Sequence, residues 1–442
     1  MTDALINLLP QIMPTEMVGS VVHTDGLATS VAGFPAPVGA LVEIQRQTGR
    51  PLRGEVIGFR DATTVVYPLG NVSGVRRGNR VRLISTARFM RVGDALLGRV
   101  IDAQGKPLDH LPAPGLTSRT RLDRTPPAAV ERPRIHTPLC TGIRVFDALL
   151  TCGRGQRMGI FSGSGVGKSV LLGMMARYTT ADVNVIALIG ERGREVNEFL
   201  ERDLGPTGLA RSVVVVATSD EPALVRVQAA LAATAVAEHF RDQGRDVLLM
   251  MDSITRFAMA QREIGLAAGE PPTTRGYPPS VFGLLPRLVE RAGLNTHGSI
   301  TAFYSVLVEG DDTNEPISDA VRGLLDGHTV LSRRLAGKGH YPAVDLLNSI
   351  SRLMPDIVSR EQLAAVTVVR ELIAVHHEHE DLISIGAYRK GSHPLVDAAI
   401  LMKPEIDRFL RQAVEESATL DTAHKELLQL AARCRQAVKT PG

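Results

Sequence analysis

The sequence predicts three domains: a small β-barrel or sandwich, a central α/β domain built on a mostly parallel sheet, and a C-terminal helical domain. Short apolar runs between Gly, Pro and Asp turns fill residues 18–88, apolar runs alternate with helical patterns in the middle, and apolar side chains recur every three to four positions from Glu361 onward. A chain of 442 residues is too long for one hydrophobic core. We therefore place the domains at residues 1–88, 89–364 and 365–442.

The first domain is predicted from short apolar runs spaced about 8 to 12 residues apart, as in small barrels. The runs are residues 21–22, 40–44, 55–57, 64–67 and 79–84. The following segment, 97–141, is rich in Pro and Arg, and we expect an extended connection packed on the next domain. Its arginines are not interleaved with aromatic residues, so it is not interpreted as a nucleic-acid-binding arm.

The central domain is predicted from buried strands that alternate with helices. Strand candidates are the apolar runs 183–189, 212–217, 247–251 and 300–308, and the clearest helical pattern spans 221–241. Such alternation is typical of a parallel sheet covered by helices on both faces. In the C-terminal domain, helical spacing relates the apolar residues Ile406, Phe409, Leu410 and Val414.

Composition restricts the class of protein. Hydrophobic residues make up 44% and charged residues 22% of the chain, and the formal net charge is +3. This balance is typical of a globular protein without a nucleic-acid partner. Cys140, Cys152 and Cys434 lie far apart and are expected to be reduced thiols. No apolar run approaches about 18 residues, and the N-terminus lacks the basic start of a signal peptide, so we expect a cytoplasmic protein.

The most informative motif is SGSGVGKS, residues 162–169, which lies between a strand-like apolar run and a helical pattern. A strand that passes through a glycine-rich turn into a helix directs backbone N–H groups and the helix dipole towards one point, where a phosphate binds. We expect Lys168 to neutralise the β- and γ-phosphates of ATP and Ser169 to bind Mg²⁺. Ser162 stands where the strict pattern has Gly. The expected nucleotide contacts are Gly163, Ser164, Gly165, Val166, Gly167, Lys168, Ser169 and Val170.

Acidic residues that follow two predicted strands would complete a hydrolytic site. Asp252 ends an apolar run and is expected to meet Mg²⁺ directly or through water. Glu191 follows another strand and is expected to orient and activate the attacking water. Glu195, four residues later, would reach the water shell of the metal. Arg192 and Arg194 either clamp phosphate or pair with these acids, and pairing is the better interpretation for Arg194.

Longer motifs resemble the catalytic subunits of rotary-type ATPases, and most closely the flagellum-specific and type III secretion export ATPases. PAVDLLNSIS, residues 342–351, matches the signature decapeptide of that superfamily. The other motifs are GRGQRMGIFSGSGVGKSVLLGMMARYT, LIGERGREV, MDSITRFAMAQREIG, GEPPTTRGYPPSVF, ITAFYSVLVEGDD, GHTVLSRRLAGKGHYPAVD and IGAYRKGSHPLVDAAI. The resemblance covers about residues 90–400 densely and implies an N-terminal β-barrel, a RecA-like central domain and a helical C-terminal domain.

The resemblance also implies a homohexameric ring with ATP bound between subunits. Glu191 would be the catalytic carboxylate, Arg192 would contact the γ-phosphate, and Arg352 resembles the arginine finger that enters the neighbouring subunit's site. Such a finger contributes roughly 10³–10⁵ to the rate, so a single subunit should be almost inactive. The implied catalytic residues are Lys168, Glu191, Arg192, Arg256 and Arg352, and the implied metal residues are Ser169, Asp252 and Glu195.

The implied function is ATP hydrolysis that releases export chaperones and feeds unfolded substrates into a secretion channel, with flagellar export as the leading interpretation. Implied partners are a stator-like regulator at the N-terminus, a coiled-coil stalk, the chaperones and substrates, and a membrane export gate that holds the protein peripherally at the inner membrane; no nucleic acid is expected. Two alternatives stay open. The first is a β-type subunit of a rotary ion-translocating synthase, which normally has an acidic coupling loop that this chain lacks. The second is a non-catalytic ring subunit, which typically lacks the catalytic Glu or the loop Lys, whereas this chain keeps Glu191 and Lys168.

Three further features depart from the family pattern or stand outside it. About 17 residues precede the barrel, fewer than in flagellar relatives, and their possible docking stripe consists of Leu5, Ile6, Leu8, Leu9 and Ile12, interrupted by Pro10. Leu363 occupies the stretch after Arg352 where the family has an adenine-stacking aromatic residue. His376, His379 and Glu380 have a helical spacing that metals use, although a polar helix face also explains it.

Overall fold

The N-terminal domain is a closed barrel of six antiparallel strands in the computed structural model, which describes residues 16–25, 27–308 and 315–439. The strands are β1 (Val18–Asp25), β2 (Ala28–Ala32), β3 (Leu41–Ile44), β4 (Leu52–Arg60), β5 (Thr63–Pro68) and β6 (Arg80–Ser85). They follow the order β1-β2-β5-β4-β3-β6, and β6 closes onto β1. Apolar side chains from alternate positions, such as Val42 and Ile44, fill the interior. The predicted barrel is confirmed, whereas the possible docking stripe lies outside the described residues.

The segment that follows the barrel is more than a connection. It contains β7 (Phe89–Val92), β8 (Arg99–Asp102), β9 (Ser118–Arg121), β10 (Pro138–Leu139) and β11 (Cys152–Gly153). Strands β7 and β9 pair with each other, and β8 joins the edge of the central sheet. The expectation of an extended connection over 97–141 therefore needs correction, because Val100 and Ile101 are buried in that sheet. A run of four residues is too short for its pattern to indicate a distant strand partner.

The central domain is built on a nine-stranded sheet. Its strands after β8 are β12 (Arg157–Ser162), β13 (Val183–Glu191), β14 (Ser212–Thr218), β15 (Asp246–Asp252), β16 (Gly293–Leu294), β17 (Ser299–Leu307), β18 (Gly327–Leu331) and β19 (Val344–Ser351). The order is β19-β18-β12-β17-β15-β13-β14-β8, with β16 beside β17. All pairs are parallel except those made by β16 and β19. The mostly parallel sheet is as predicted, and the strand limits differ from expectation by one or two residues.

Helices cover both faces of this sheet. They are α1 (Arg144–Leu149), α2 (Lys168–Tyr178), α3 (Gly193–Glu198), α4 (Gly205–Ala210), α5 (Ala223–Asp242), α6 (Ile254–Ala268), α7 (Pro279–Val289), α8 (Pro316–Leu324) and α9 (Arg333–Gly337); a π-helical turn spans Phe199–Leu204, and short 3₁₀ turns span Asp94–Leu96, Ala129–Glu131 and Thr274–Gly276. Side chains of β13 alternate between two apolar clusters. Val185 and Ala187 pack among α5 and α6, while Ile186 and Leu188 pack against α2. The sheet therefore has a core on each side, as its apolar strands predict.

A buried ion pair joins two elements of one face. The guanidinium of Arg291, just after α7, donates to both carboxylate oxygens of Glu238 in α5, at 2.8 and 2.7 Å. The two side chains are only 2% and 1% exposed. Arg291 also donates to the carbonyl of Leu122, which ties the segment before α1 to the same layer.

The C-terminal region is helical, as predicted. It contains α10 (Met354–Ile357), α11 (Arg360–Glu378), α12 (Glu380–Ser384), α13 (Pro394–Leu410) and α14 (Leu420–Lys439). The hydroxyl of Ser359 accepts the backbone N–H of Gln362 and begins α11. This helix runs through the proposed boundary between residues 364 and 365, and the domain limits stay predictions. Among the described residues, none of the helices has the length and apolar character needed to cross a bilayer.

Candidate nucleotide-binding site

The glycine-rich loop connects the carboxyl end of β12 to the first turn of α2. Gly165 and Gly167 have φ angles of 78° and 85°, in the left-handed region that glycine adopts without strain. Gly167 directly precedes α2, so the free N–H groups and the positive end of the helix dipole meet at the loop. Ser162 is the last residue of β12, where extended backbone accepts a side chain. The departure from the strict Gly pattern therefore leaves the turn itself intact.

Two side chains pack directly against the loop, and the sequence analysis singled out neither. A Cβ atom on Gly163 would lie 2.5 Å from the guanidinium of Arg333, and one on Gly167 would lie 3.2 Å from the ring of Tyr341. The Tyr341 ring is 45% exposed. Both residues fall in the motif GHTVLSRRLAGKGHYPAVD. Membership in that motif was the signal in the sequence that could have indicated them.

A cleft of about 690 Å³ opens beside Tyr341. Its wall includes Phe409, Arg411 and Gln412 from the C-terminal region. The backbone N–H of Gln412 donates to the carbonyl of Tyr341 at 3.0 Å, which holds the C-terminal region against Tyr341. The cleft offers the aromatic rings of Tyr341 and Phe409 together with polar groups, a combination typical of small-molecule sites.

Asp252 was expected near the phosphate loop, and the structure pairs it directly with Lys168 of that loop. The Lys168 ammonium lies 2.5 Å from Oδ1 of Asp252, and the two side chains are 12% and 5% exposed. Asp252 ends β15, which is separated from β12 by β17 alone. The carboxyl ends of neighbouring parallel strands meet at one edge of the sheet, which is where ligands of open α/β sheets bind.

Glu191 ends β13 at the same edge. Burial, together with the nearby Asp252 carboxylate, raises the pKa of Glu191 to about 7. A hydrogen bond between the two carboxyl groups lowers the pKa of Glu195 and favours the proton on Glu191. Lys168 opposes the rise, but burial dominates. A carboxylate whose pKa lies near neutrality can exchange a proton with water at physiological pH.

Arg256 lies close to Glu191, and its charge opposes the rise in the pKa of that residue. A Cβ on Gly190, which has a φ of 70°, would approach Arg256 Cδ within 2.9 Å. The hydroxyl of Ser253 accepts the backbone N–H of Arg256 and caps α6. Nε of Arg256 is buried with no hydrogen-bond partner among the described residues. An orphaned donor next to the phosphate loop is consistent with an anion at this site.

Arg192 and Arg194 are strongly exposed and pair with acids of their own helix. Their side chains are 79% and 83% exposed, and each lies near one acid, Arg192 Nη1 at 3.5 Å from Glu195 and Arg194 Nε at 3.4 Å from Glu198. Arg194 was expected to pair with Glu191 or Glu195, but its partner is Glu198, one helical turn further along, and Arg192 is the arginine that pairs with Glu195. The γ-phosphate contact expected for Arg192 stays a prediction.

Arg352 lies at the opposite end of the sheet from the phosphate loop of its own chain. Strand β19 returns antiparallel to β18, so Ser351 pairs with Gly327 at the amino end of β18. The Arg352 N–H donates to the carbonyl of Asp326, and the Asp326 N–H donates to the carbonyl of Arg157 at the start of β12. Six residues of strand separate Arg157 from the loop, a distance of about 20 Å. Arg352 therefore cannot contact a phosphate on its own loop.

The oxygen donors near the loop suit Mg²⁺. Asp252, Glu195 and the exposed hydroxyl of Ser169 are hard oxygen ligands, which this ion prefers. The alternative cluster in the C-terminal region does not form: α11 ends at Glu378, and Glu380 instead pairs with Arg334 and Lys338. Within the described ranges, groups of three or more His, Cys, Asp or Glu arranged to hold a metal ion do not occur.

Comparison with known proteins agrees with this geometry. Residues 142–351 match the family described as ATP synthase alpha/beta family, nucleotide-binding domain; residues 21–83 match its beta-barrel domain, and residues 358–429 match the T3SS EscN ATPase C-terminal domain. The chain is 50% identical to the flagellum-specific ATP synthase of Bacillus subtilis (97% of this chain, 98% of the relative) and to the type 3 secretion system ATPase of Xanthomonas euvesicatoria (90% of each).

A solved structure gives the same picture. The assembled ATPase EscN of enteropathogenic E. coli, in complex with its central stalk EscO, is 44% identical to this chain, with a TM-score of 0.87 over 93% of this chain and 100% of the EscN chain. The phosphate loop, the strand-end acids and these full-length similarities converge on one assignment. The chain belongs to the ATP synthase alpha/beta family and, within it, to the flagellum-specific and type III secretion ATPases.

Proposed function

We propose that this chain hydrolyses Mg-ATP in a homohexameric ring whose active sites are completed between subunits, and that the ring serves a type III protein export apparatus. The position of Arg352, about 20 Å of strand away from its own phosphate loop, supports this proposal most directly. A ring built from heterologous contacts places this end of one sheet against a different surface of the next copy. Arg352 then contacts the γ-phosphate held by the neighbour.

The residues around the loop have distinct tasks in this proposal. The N–H groups of the loop and the first turn of α2 hold the phosphates, and Lys168 exchanges its Asp252 partner for phosphate oxygens. Glu191 orients the attacking water and accepts its proton. Ser169, Asp252 and Glu195 would hold Mg²⁺, which supplies positive charge to the phosphate oxygens when bound. Arg352 adds charge from the neighbouring copy where negative charge develops.

Tyr341 gives the base a stacking surface. Its half-exposed ring lies against Gly167, and the adjoining cleft is open towards Gln412. Stacking on an aromatic ring contributes about 1–3 kcal/mol per base in nucleic-acid complexes. Tyr341 thereby takes the adenine-stacking role that the sequence analysis sought after Arg352, where Leu363 stands instead of an aromatic residue.

The partners belong to the same proposal. EscN binds a central stalk, EscO, and the similarity supports an equivalent coiled-coil stalk here. A stator-like regulator, export chaperones, unfolded substrates and a membrane export gate that holds the ring peripherally at the cytoplasmic face follow from the family. We propose that the export apparatus is the flagellar one. A swimming assay on a strain that lacks the gene for this chain would test this, because loss of flagellar export abolishes motility.

The first experiment measures the Mg²⁺-dependent ATPase rate per subunit across a wide range of protein concentration, with ring formation followed by light scattering. If sites are completed between subunits, the rate per subunit rises steeply as rings form. A flat and substantial rate at concentrations where the chain is monomeric would overturn the shared site. If assembled rings showed no activity, with or without a stalk protein, the catalytic assignment would fail.

A further inference from the structure

The sheet end that contains Arg352 also holds a second arginine and a histidine. On β18, His328 faces the same side as Ile350 of β19, a residue that is 44% exposed. Arg322 of α8 lies over this side. Its guanidinium carbon is 5.1 Å from the centroid of the Phe161 ring. The rings of His328 and Phe161 pack in a T-shaped arrangement with their centroids 5.7 Å apart. Phe161 thus positions both side chains.

These groups lie near the level of Arg352 and away from the chain's own loop. Phe161 folds back over β12, because a Cβ on Gly159 would lie 2.5 Å from Phe161 Cε2. Gly159 pairs with His328, three positions before the last residue of β12. The pKa of His328 is lowered by burial first and then by the charges of Arg322 and Arg352, so the three groups are close enough to interact.

The cluster lacks a counter-charge in the part of the chain that the structure describes. Arg322 Nε is buried without a hydrogen-bond partner, and neither Arg322 nor Arg352 has an ion-pair partner among the described residues. Asp326, which directly precedes β18, is occupied by a bidentate pair with Arg157 at 3.0 and 3.1 Å. Two neighbouring guanidiniums repel each other, and a bound anion would offset that repulsion.

We propose that Arg322 is a second arginine that acts across the subunit boundary, contributing with Arg352 to the binding of the γ-phosphate held by the neighbouring copy. This inference rests on the proposed ring with shared sites. A cation fixed on an aromatic face loses little freedom when it meets its anion, and a planar guanidinium suits phosphate oxygens. Arg322 thereby increases the positive charge that one copy presents to the nucleotide of the next.

Paired substitutions separate charge from packing. Arg322→Met keeps an apolar stem on Phe161 but removes the charge, whereas Arg322→Lys keeps both a cation and the ring contact. We expect Arg322→Met to lower kcat about 10²- to 10³-fold and Arg322→Lys to recover part of it, since one preorganised donor at an oxyanion contributes about that much. Arg91→Gln, an exposed arginine on β7, is the matched control. Equal rates for Arg322→Met and wild type, with rings intact by light scattering, would overturn the proposal.

Mixed rings test whether Arg322 acts in trans. An Arg322→Met chain has an intact loop and Glu191, while a Glu191→Gln chain has an intact Arg322 but cannot hydrolyse ATP. In a 1:1 mixture about one quarter of all sites combine an intact Glu191 with a neighbour's intact Arg322, so the rate should recover to about one quarter of wild type. Recovery no greater than the sum of the two separate rates would mean that Arg322 acts only within its own chain, through Phe161 and the adjoining loop, and would reject the proposal.

The same mixture with Arg352→Met identifies which proposal has failed. If Arg352→Met recovers on mixing but Arg322→Met does not, the shared site stands and only the role of Arg322 falls. If neither recovers, the ring with shared sites falls as well. Binding of ADP with aluminium fluoride provides a second readout: Arg322→Met rings should bind it more weakly than wild type, with ADP affinity unchanged. Unaltered binding would indicate that a neighbour's carboxylate, and not phosphate, occupies the cluster, which would also overturn the proposal.

Discussion

Glu191 and Glu195 share a hydrogen bond between their carboxyl groups at the carboxyl edge of the central sheet. Burial and the Asp252 charge already favour the neutral form of Glu191, and the shared bond adds to them. The two carboxyl groups are therefore in different protonation states near neutral pH. Glu195 is ionised, while Glu191 is poised between acid and base.

The pH profile should report this arrangement. Because the pKa of Glu191 is raised to about 7 and its ionised form acts as the base, kcat/KM should rise with pH through about 7. Glu195→Ala removes the hydrogen bond, so the pKa of Glu191 falls and the acidic limb of the pH–rate profile moves to lower pH. The maximal rate also drops. Glu198→Ala, one turn further along, should leave the limb unmoved. An unchanged limb in Glu195→Ala would contradict the coupling.

Replacing Glu191 should separate hydrolysis from binding. Glu191→Gln keeps the shape but cannot accept a proton, so kcat should fall about 10²- to 10⁴-fold while ATP affinity is retained. Lys168→Ala should instead lose ATP affinity. Phosphate release and binding of a fluorescent ATP analogue measure the two effects, with Glu131→Gln in the exposed connecting segment as a matched control. Turnover of Glu191→Gln near that of wild type would refute its assignment as the catalytic carboxylate.

Tyr341 should affect nucleotide affinity more than the chemical step. Tyr341→Ala removes the ring that lies against Gly167, and KM for ATP should rise about 10-fold with kcat changed much less, as expected for loss of base stacking. Tyr341→Phe keeps the ring and should behave as wild type. A lowered kcat at unchanged KM would place Tyr341 in the chemistry instead of base binding.

The buried Arg291–Glu238 pair should stabilise the fold only as a pair. Arg291→Met leaves Glu238 buried without its main partner, and the free energy of unfolding should fall by about 3–5 kcal/mol. Combining Arg291→Met with Glu238→Leu should recover most of this loss, because neither charge of the pair then remains. Urea unfolding followed by circular dichroism measures both. Arg121→Met, which breaks the exposed pair with Asp123, should cost less than about 1 kcal/mol. Additive losses in the double variant would contradict the coupling of the pair.

Local patterns were sufficient for the phosphate loop and its strand-end acids. The loop depends on neighbouring residues alone, namely glycines with positive φ and a helix that begins at once. Asp252 and Glu191 were recognisable because each ends an apolar run, and parallel strands place their carboxyl ends together. By contrast, β8 was missed because its partner β14 is distant in sequence. Arg333 and Tyr341 were missed for the same reason, since their contacts with the loop cross the whole central domain.

The sequence by itself determined the family, the order of the barrel, the α/β domain and the helical region, and the place of the phosphate loop, because these depend on short motifs and on periodicity. Only the tertiary structure decided where Arg352 lies. The antiparallel return of β19 places this residue at the amino end of β18 and away from its own loop, a consequence of strand direction that sequence spacing does not contain. The same fold brings Arg322 and His328 onto Phe161, because side-chain contacts between distant segments form only when the sheet and α8 pack together.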